Sequence, residues 1–192
     1  MSVLASDIQV FILAGGQSSR MGSDKGMLVW KEKIFVEHIL SALKPIFNDI
    51  IIVSNRPMGY SHLGYDVIED KVKDIGPLGG FYTGLHYTLK RLNLFVSCDS
   101  PMLSSTFFTE MLNSSSPDKI SFCSVRGKLH PIPVLLNKDV LDKMETSIHR
   151  TMYKLMSFYD HFPCQQIDMT HFEHEMLNIN TPDDYNSLIS QQ

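Results

Sequence analysis

The clearest pattern in the chain is a set of short apolar runs separated by polar and glycine-rich segments. The runs cover residues 8–14 (IQVFILA), 50–54 (IIIVS) and 94–97 (LFVS). Strands of a parallel sheet are covered on both faces, so they show continuous apolar runs and no alternation. These runs therefore predict buried parallel strands.

Helix-like spacing lies between the runs. Apolar residues at helical steps over residues 34–43 end before Pro45, and leucines recur at steps of four and three over residues 78–92. Residues 120–125 and 131–136 suggest a strand pair around a turn at Arg126, and residues 138–146, 151–159 and 182–190 look helical. Alternating strands and helices predict an α/β fold in three layers, a mainly parallel sheet with helices on both faces.

Composition narrows the possibilities. The 192 residues are 43% hydrophobic and 20% charged with a net charge of −4, which predicts one globular domain over residues 1–192. A nucleic-acid partner is not expected without a basic excess, and no apolar run is long enough for a membrane span. Cys98, Cys123 and Cys164 are odd in number and far apart, and the N-terminus lacks a basic signal-peptide region. A cytoplasmic location with reduced thiols is therefore expected.

Ligands of open parallel sheets bind where strands end and loops begin, so a binding site is expected at these points. The first run passes directly into residues 13–26 (LAGGQSSRMGSDKG), which contain four glycines, three serines and Lys25. Glycines allow backbone N–H groups to approach phosphate oxygens, and a following cation can hold the same anion. The spacing is neither that of a P-loop nor GxGxxG. An ordinary glycine-rich turn is the alternative.

Polar residues follow the other runs. Asp99 comes directly after the run at residues 94–97, where one carboxylate with substrate phosphates would suit Mg²⁺; a helix-capping or turn role is the alternative. Asn55 could meet a nucleobase edge or simply form a turn. Asp70 ends a short strand at residues 67–70, and GPLGG at residues 76–80 opens a helix. Each is also consistent with a purely structural role.

The ordered set of segments resembles nucleotidyltransferases, and within them the molybdenum cofactor guanylyltransferase family. The segments are LAGGQSSRMGSDKG, IIIVSN, VIED, GPLGG, SCDSP, HPIPVLL and NINTPDDY, spread along nearly the whole chain. The resemblance implies a Rossmann-like nucleotidyltransferase fold and transfer of GMP from GTP to the phosphate of a molybdopterin-type cofactor, with release of pyrophosphate. Cytidylyl-transferring relatives tend to have a Gly-Ser-rich segment in place of GPLGG, which favours guanine here.

The resemblance also implies roles for individual residues. Backbone groups of Leu13, Ala14, Gly15 and Gly16 would contact GTP, Lys25 would hold its phosphates, Asn55 and Asp70 would help bind the nucleotide, and Asp99 would bind Mg²⁺ and GTP. Gly76, Pro77, His130, Asn178 and Asn180 are candidates for binding substrate. One departure is Trp30-Lys31-Glu32-Lys33, where relatives often have a glycine; this leaves the turn type open.

The chemistry expected of such a site is mainly charge neutralisation. The acceptor is a phosphate monoester with a second pKa near ~6, so it needs no general base. The available counter-charges are Lys25, Arg20, the glycine-loop amides and a Mg²⁺ ion on Asp99. Proteins that deliver the oxygen-labile pterin or receive it, such as molybdoenzyme chaperones, are expected partners. Two alternatives stay open: cytidylyl or other nucleotidyl transfer to another phosphorylated small molecule, and a catalytically inactive nucleotide-binding module.

Overall fold

A seven-stranded sheet forms the centre of the structure, a computed structural model that describes residues 3–15 and 24–190. The strands are β1 (Ile8–Leu13), β2 (Val29–Trp30), β3 (Lys33–Ile34), β4 (Ile50–Ser54), β5 (Asp66–Glu69), β6 (Leu92–Ser97), β7 (Ile120–Val125), β8 (Lys128–Asn137) and β9 (Cys164–Asp168). The α-helices are α1 (Phe35–Leu43), α2 (Pro77–Tyr87), α3 (Ser105–Ser114), α4 (Leu141–His149), α5 (Leu155–Tyr159) and α6 (Pro182–Ile189).

The sheet has the strand order β5-β4-β1-β6-β8-β7-β9. The four strands β5, β4, β1 and β6 are parallel, and β9 is parallel to β7. Only β8, among the described residues, is antiparallel to both of its neighbours. The predicted α/β class with a mainly parallel sheet is confirmed. Strands β1, β4 and β6 end side by side, so the loops that follow them share one edge of the sheet.

Helices cover both faces of the sheet, which explains the continuous apolar runs. On β1, Val10 and Ile12 belong to a core with residues of α1 and α3, whereas Phe11 and Leu13 belong to a core with residues of α2, α4 and α5. All four side chains are buried. Because alternate residues of a strand point to opposite faces, a centrally placed strand needs apolar side chains at every position.

The second predicted helix is shorter than its leucine spacing suggested. Helix α2 ends at Tyr87, Leu89 is 98% exposed, and Leu92 is the first residue of β6. Leu85 and Leu89 therefore do not lie together on a buried face of the helix, although their spacing is helical. Thr88 has an extended backbone conformation, which ends the helix and leads the chain towards β6.

The segment without the expected glycine forms a two-residue hairpin between β2 and β3. Both central residues have positive φ, 44° at Lys31 and 65° at Glu32. Positive φ at both positions is the type I′ turn, which matches the twist of paired strands but favours Asn and Gly. The turn type is thereby settled, with two non-glycine residues in an unfavourable backbone region.

The later elements follow the sequence prediction in part. Strands β7 and β8 form the predicted pair, with β8 longer than expected. The helix expected over residues 151–159 begins only at Leu155, and β9, α3 and the β2–β3 hairpin were not predicted. Helix α6 begins as predicted, with the Thr181 hydroxyl accepting from the N–H of Asp184 and the Asp184 carboxylate accepting from the N–H of Thr181.

Candidate active site

A cleft of about 270 Å³ opens where β1, β4 and β6 end. The loop after β1 is held between its neighbours, since Ala14 N donates to Val53 O at 2.9 Å and Cys98 N donates to Leu13 O at 3.1 Å. Eight of the residues singled out from the sequence line this cleft: Leu13, Ala14, Gly15, Lys25, Asp70, Gly76, Pro77 and Asp99. The structure therefore brings together residues that lie up to 86 positions apart in the chain (99 − 13).

Lys25 is half-buried and fixed at both ends. Its backbone starts a single-turn 3-10 helix, Lys25–Met27, whose N-terminus is capped by the Asp24 carboxylate accepting from Gly26 N at 3.0 Å. Its ammonium donates to the Asn180 side-chain oxygen at 2.7 Å. Asn180 is itself held by Asp184, whose carboxylate accepts from the Asn180 N–H at 2.9 Å. These contacts hold a cationic residue that lines the cleft.

Asp99 follows β6 on the same edge of the sheet and is also half-buried. Its carbonyl accepts from Ile179 N at 2.8 Å, and the hydroxyl of the next residue, Ser100, donates to the Asn178 side-chain oxygen at 2.7 Å. The segment before α6 therefore attaches to both the Lys25 loop and the Asp99 loop. Asn178 supports this attachment and does not itself line the cleft.

Gly15 and Asn55 lie in contact where the loops after β1 and β4 meet. A Cβ at Gly15 would stand 3.3 Å from Asn55 N and 3.4 Å from Ser54 Cα, tighter than most contacts, so a side chain here would push the two loops apart. The Asn55 side-chain oxygen is buried, and no group in residues 3–15 or 24–190 donates a hydrogen bond to it. A buried amide oxygen without a donor is costly, but Asn55 is not among the residues that line the cleft, so its role in binding the nucleotide stays a prediction.

Asp70 has structural partners that the sequence did not indicate. Its Oδ1 accepts from the Thr83 hydroxyl at 2.7 Å and from Val72 N at 3.2 Å. The same hydroxyl accepts from Lys71 N at 2.9 Å, so Thr83 ties the turn after β5 to α2. Asp70 therefore lines the cleft from a position fixed by a buried residue of the neighbouring helix.

The GPLGG segment places the N-terminus of α2 at the cleft. Gly76 has φ 69° and ψ −157°, a region that only glycine adopts readily, and Pro77 is the first helical residue. The positive end of the helix dipole at this point favours anions. The following glycines serve packing: a Cβ at Gly80 would lie 2.7 Å from Leu13 Cδ2, and one at Gly79 would clash with the Val72 carbonyl.

Four other predicted site residues are not among those that line the cleft: Asn55, His130, Asn178 and Asn180. His130 lies half-buried in β8, where burial and then the charge of Lys128 lower its pKa, and Ile132 of the same strand lines the cleft in its place. Gly16 and Arg20 lie outside the described residues, so their predicted roles stay predictions.

Two groups in the cleft region were not assigned from the sequence. Tyr60 is fully buried and its hydroxyl donates to Asp24 Oδ1 at 2.8 Å. Cys98 lines the cleft as a buried residue, and burial raises the pKa of its thiol far above the usual range. A protonated thiol is a poor nucleophile, so Cys98 contributes packing to the wall of the cleft.

Within residues 3–15 and 24–190, no three His, Cys, Asp or Glu side chains are arranged to hold a metal ion. No helix in those same ranges has the length and apolar content to cross a bilayer.

Comparison with known proteins identifies close likenesses. The family model described as the MobA-like NTP transferase domain matches residues 10–164. A probable molybdenum cofactor guanylyltransferase of Flavobacterium johnsoniae is 34% identical over 183 residues, covering 94% of this chain and 96% of the relative. A molybdenum cofactor guanylyltransferase of Photobacterium profundum is 33% identical, covering 90% and 91%. The crystal structure of molybdopterin-guanine dinucleotide biosynthesis protein A from Archaeoglobus fulgidus has the same fold, with a TM-score of 0.76, 18% identity, and coverage of 95% and 97%.

Proposed function

The chain belongs to the MobA-like NTP transferase family, and from this premise we propose that it transfers GMP from GTP to the phosphate of a molybdopterin-type cofactor. Pyrophosphate is the other product. The observation that carries the proposal is the meeting of Lys25 and Asp99 in one cleft of a chain that aligns almost end to end with guanylyltransferases. The fold alone would support many functions, so the residues in the cleft decide the chemistry.

The cleft supplies charge neutralisation, which is the main need of this reaction. The acceptor phosphate is already mostly dianionic at neutral pH, and it must approach the α-phosphorus of a polyanion. Two unit charges 4 Å apart repel by about 4 kcal/mol at an effective dielectric constant near 20. Lys25 and the N-terminus of α2, which both line the cleft, offset this repulsion.

The donor set also fits a Mg²⁺ ion that is bound together with the nucleotide. Mg²⁺ is typically held by one or two carboxylates plus substrate phosphates and water, and not by a cage of protein ligands. Asp99 provides a half-buried carboxylate at the cleft, and the described residues contain no cage. We therefore assign Asp99 to the ion, which when bound would neutralise phosphate charge.

Nucleotide choice tests the proposal directly. Thermal unfolding is measured with GTP, CTP, ATP and UTP, each with and without Mg²⁺, and pyrophosphate release is measured with an anaerobically prepared molybdopterin acceptor. A ligand at 100 times its Kd adds about 2.7 kcal/mol, which raises the Tm by roughly 5–10 °C in a domain of this size. We expect the largest shift and turnover with GTP and Mg²⁺. Preference for CTP, or binding without turnover, would contradict the proposal in favour of one of its two alternatives.

Two variants test the assigned residues. Asp99→Asn should nearly abolish turnover and the effect of Mg²⁺, whereas Asp118→Asn, which alters an exposed carboxylate that pairs with Arg91, should change neither. Lys25→Ala should lower the rate by roughly 10²–10³, the scale for one preorganised charge stabiliser. Lys73→Ala removes an exposed cation that pairs with Glu69 and serves as the control. A loss below about threefold would mean that Lys25 holds no phosphate in the transition state.

The reduced thiols favour action in the cytoplasm: Cys98 and Cys123 are buried and unpaired, and Cys164 is unpaired and exposed. Delivery proteins and molybdoenzyme chaperones remain expected partners because the pterin would need protection during transfer.

A further inference from the structure

Tyr60 is a fully buried tyrosine whose hydroxyl reaches the wall of the cleft. It lies between two single-turn 3-10 helices, Pro57–Gly59 and Ser61–Leu63, in the connection from β4 to β5. Its hydroxyl donates to Asp24 Oδ1 at 2.8 Å and stands 3.5 Å from the Ala14 carbonyl. A phenol has one hydrogen to donate, so the short contact with the carboxylate is the hydrogen bond that counts.

Asp24 connects this hydroxyl to Lys25. The same carboxylate oxygen accepts from Gly26 N and thereby caps the turn Lys25–Met27. The turn closes with Leu28 N donating to Lys25 O at 3.1 Å. The direction in which Lys25 leaves the backbone is therefore set by the position of one oxygen of Asp24, and Tyr60 holds that oxygen from inside the core.

We propose that Tyr60 is a positioning residue of the nucleotide site: through Asp24 it holds the Lys25 turn so that the ammonium meets the phosphates of the bound triphosphate. This inference rests on the proposed function. Packing alone does not require the hydroxyl, because phenylalanine has the same ring. A buried hydroxyl is costly unless it is bonded, and here its partner is the carboxylate that caps the lysine turn.

Gly26 supplies a second, independent observation. A Cβ at Gly26 would clash with the Tyr60 hydroxyl, and it would lie 3.0 Å from Val36 Cγ2. The glycine of the lysine turn therefore leaves the space that the hydroxyl occupies. Burial, and then the Asp24 carboxylate, raise the pKa of Tyr60 far above its usual value, so the hydroxyl keeps its proton and continues to donate.

The test is a double-mutant cycle of Tyr60→Phe and Lys25→Ala in the full chain. The readouts are kcat/KM for GTP from pyrophosphate release and the Kd of GTP with Mg²⁺ from calorimetry. One lost hydrogen bond to a charged group corresponds to a loss of at least about tenfold, which we expect for Tyr60→Phe in the wild-type background. In the Lys25→Ala background, Tyr60→Phe should cause no further loss, because the group that it positions is gone.

Tyr159→Phe is the matched control. Tyr159 is also fully buried, and its hydroxyl donates to the Pro131 carbonyl at 2.9 Å, in the core on the other side of the sheet. We expect this variant to lower the Tm as Tyr60→Phe does, with kcat/KM and Kd unchanged. A purely structural role for Tyr60 predicts instead that the two variants behave alike in all measurements.

The proposal is overturned if Tyr60→Phe lowers kcat/KM and weakens GTP binding equally in both backgrounds, or if it changes neither. If the wild type binds GTP but does not turn over, the proposed function is wrong, and the cycle in Kd still decides the role of Tyr60. If the wild type does not bind GTP, both fail. Should Tyr60→Phe not fold, Asp24→Asn and Asp24→Ala replace it: only Asn keeps an acceptor oxygen, so equal losses for the two would refute the proposal.

Discussion

Thr83→Val tests how the cleft carboxylate Asp70 is held in place. Valine has nearly the shape of threonine but no hydroxyl, so the change removes the 2.7 Å bond to Asp70 and the 2.9 Å bond from Lys71 N without opening a cavity. Lys71 is exposed, so water can replace the second bond. The lost bond to a charged carboxylate contributes about 1.5–3 kcal/mol.

Thr88→Val provides the comparison. Thr83 and Thr88 are each only 2% exposed, but within the described part of the chain the Thr88 hydroxyl accepts from Lys90 N, a neutral backbone donor, and bonds to no charged group. Such a bond contributes about 0.5–1.5 kcal/mol. At 2–4 °C per kcal/mol for a domain of this size, Thr83→Val should lower the Tm by about 3–12 °C and Thr88→Val by about 1–6 °C.

Thermal unfolding with and without GTP and Mg²⁺ provides the assay. Because Asp70 lines the cleft and Thr88 does not, Thr83→Val should also reduce the stabilisation by GTP, whereas Thr88→Val should leave it unchanged. Equal losses of Tm, or an unchanged GTP effect in Thr83→Val, would show that Asp70 keeps its position without the threonine. The predicted nucleotide role of Asp70 would then need another means of support.

Three further changes have definite signs. Gly84→Ala should lower the free energy of unfolding, measured by urea denaturation, by about 1–3 kcal/mol. The reason is that the added Cβ would lie 2.7 Å from Phe95 Cε1 in a packed aromatic core. An unchanged free energy of unfolding would mean that the rings move freely. Glu32→Gly should raise the free energy of unfolding by up to about 1 kcal/mol, because glycine adopts the positive φ at this position without strain, whereas Glu32→Ala should not raise it. Equal effects of the two substitutions would contradict backbone strain at Glu32. Hydrogen-bond donation from the Asn180 backbone N–H lowers the pKa of Asp184. The wild type should therefore have a higher Tm than Asp184→Asn above pH ~4, the pKa of this carboxyl in the unfolded state, and the difference should disappear as the pH falls through the lower pKa of the folded state. A difference in Tm that does not change with pH would contradict this.

The parts of the fold that could be predicted are those whose burial is complete. Strand β4 was predicted residue for residue because every one of its five positions is buried. Strand β9 was not, because only Ile167 of its five residues is buried, and a polar edge strand has no apolar run to mark it. The helix prediction over residues 78–92 was too long because Leu89 is apolar and at helical spacing but exposed, so it does not belong to the core.

The candidate site shows the same division between local and distant information. Asp99 and the residues around Gly15 could be found because a strand end is a local feature, and parallel strands bring their ends together. The contacts that orient the site are not local: Lys25 meets Asn180 from 155 positions away, and Tyr60 meets Asp24 from 36 positions away. No spacing rule links such pairs, since they depend on how the connections cross the sheet. A tyrosine in an unremarkable loop therefore becomes a candidate positioning residue only when its hydroxyl is seen against the carboxylate that starts the lysine turn.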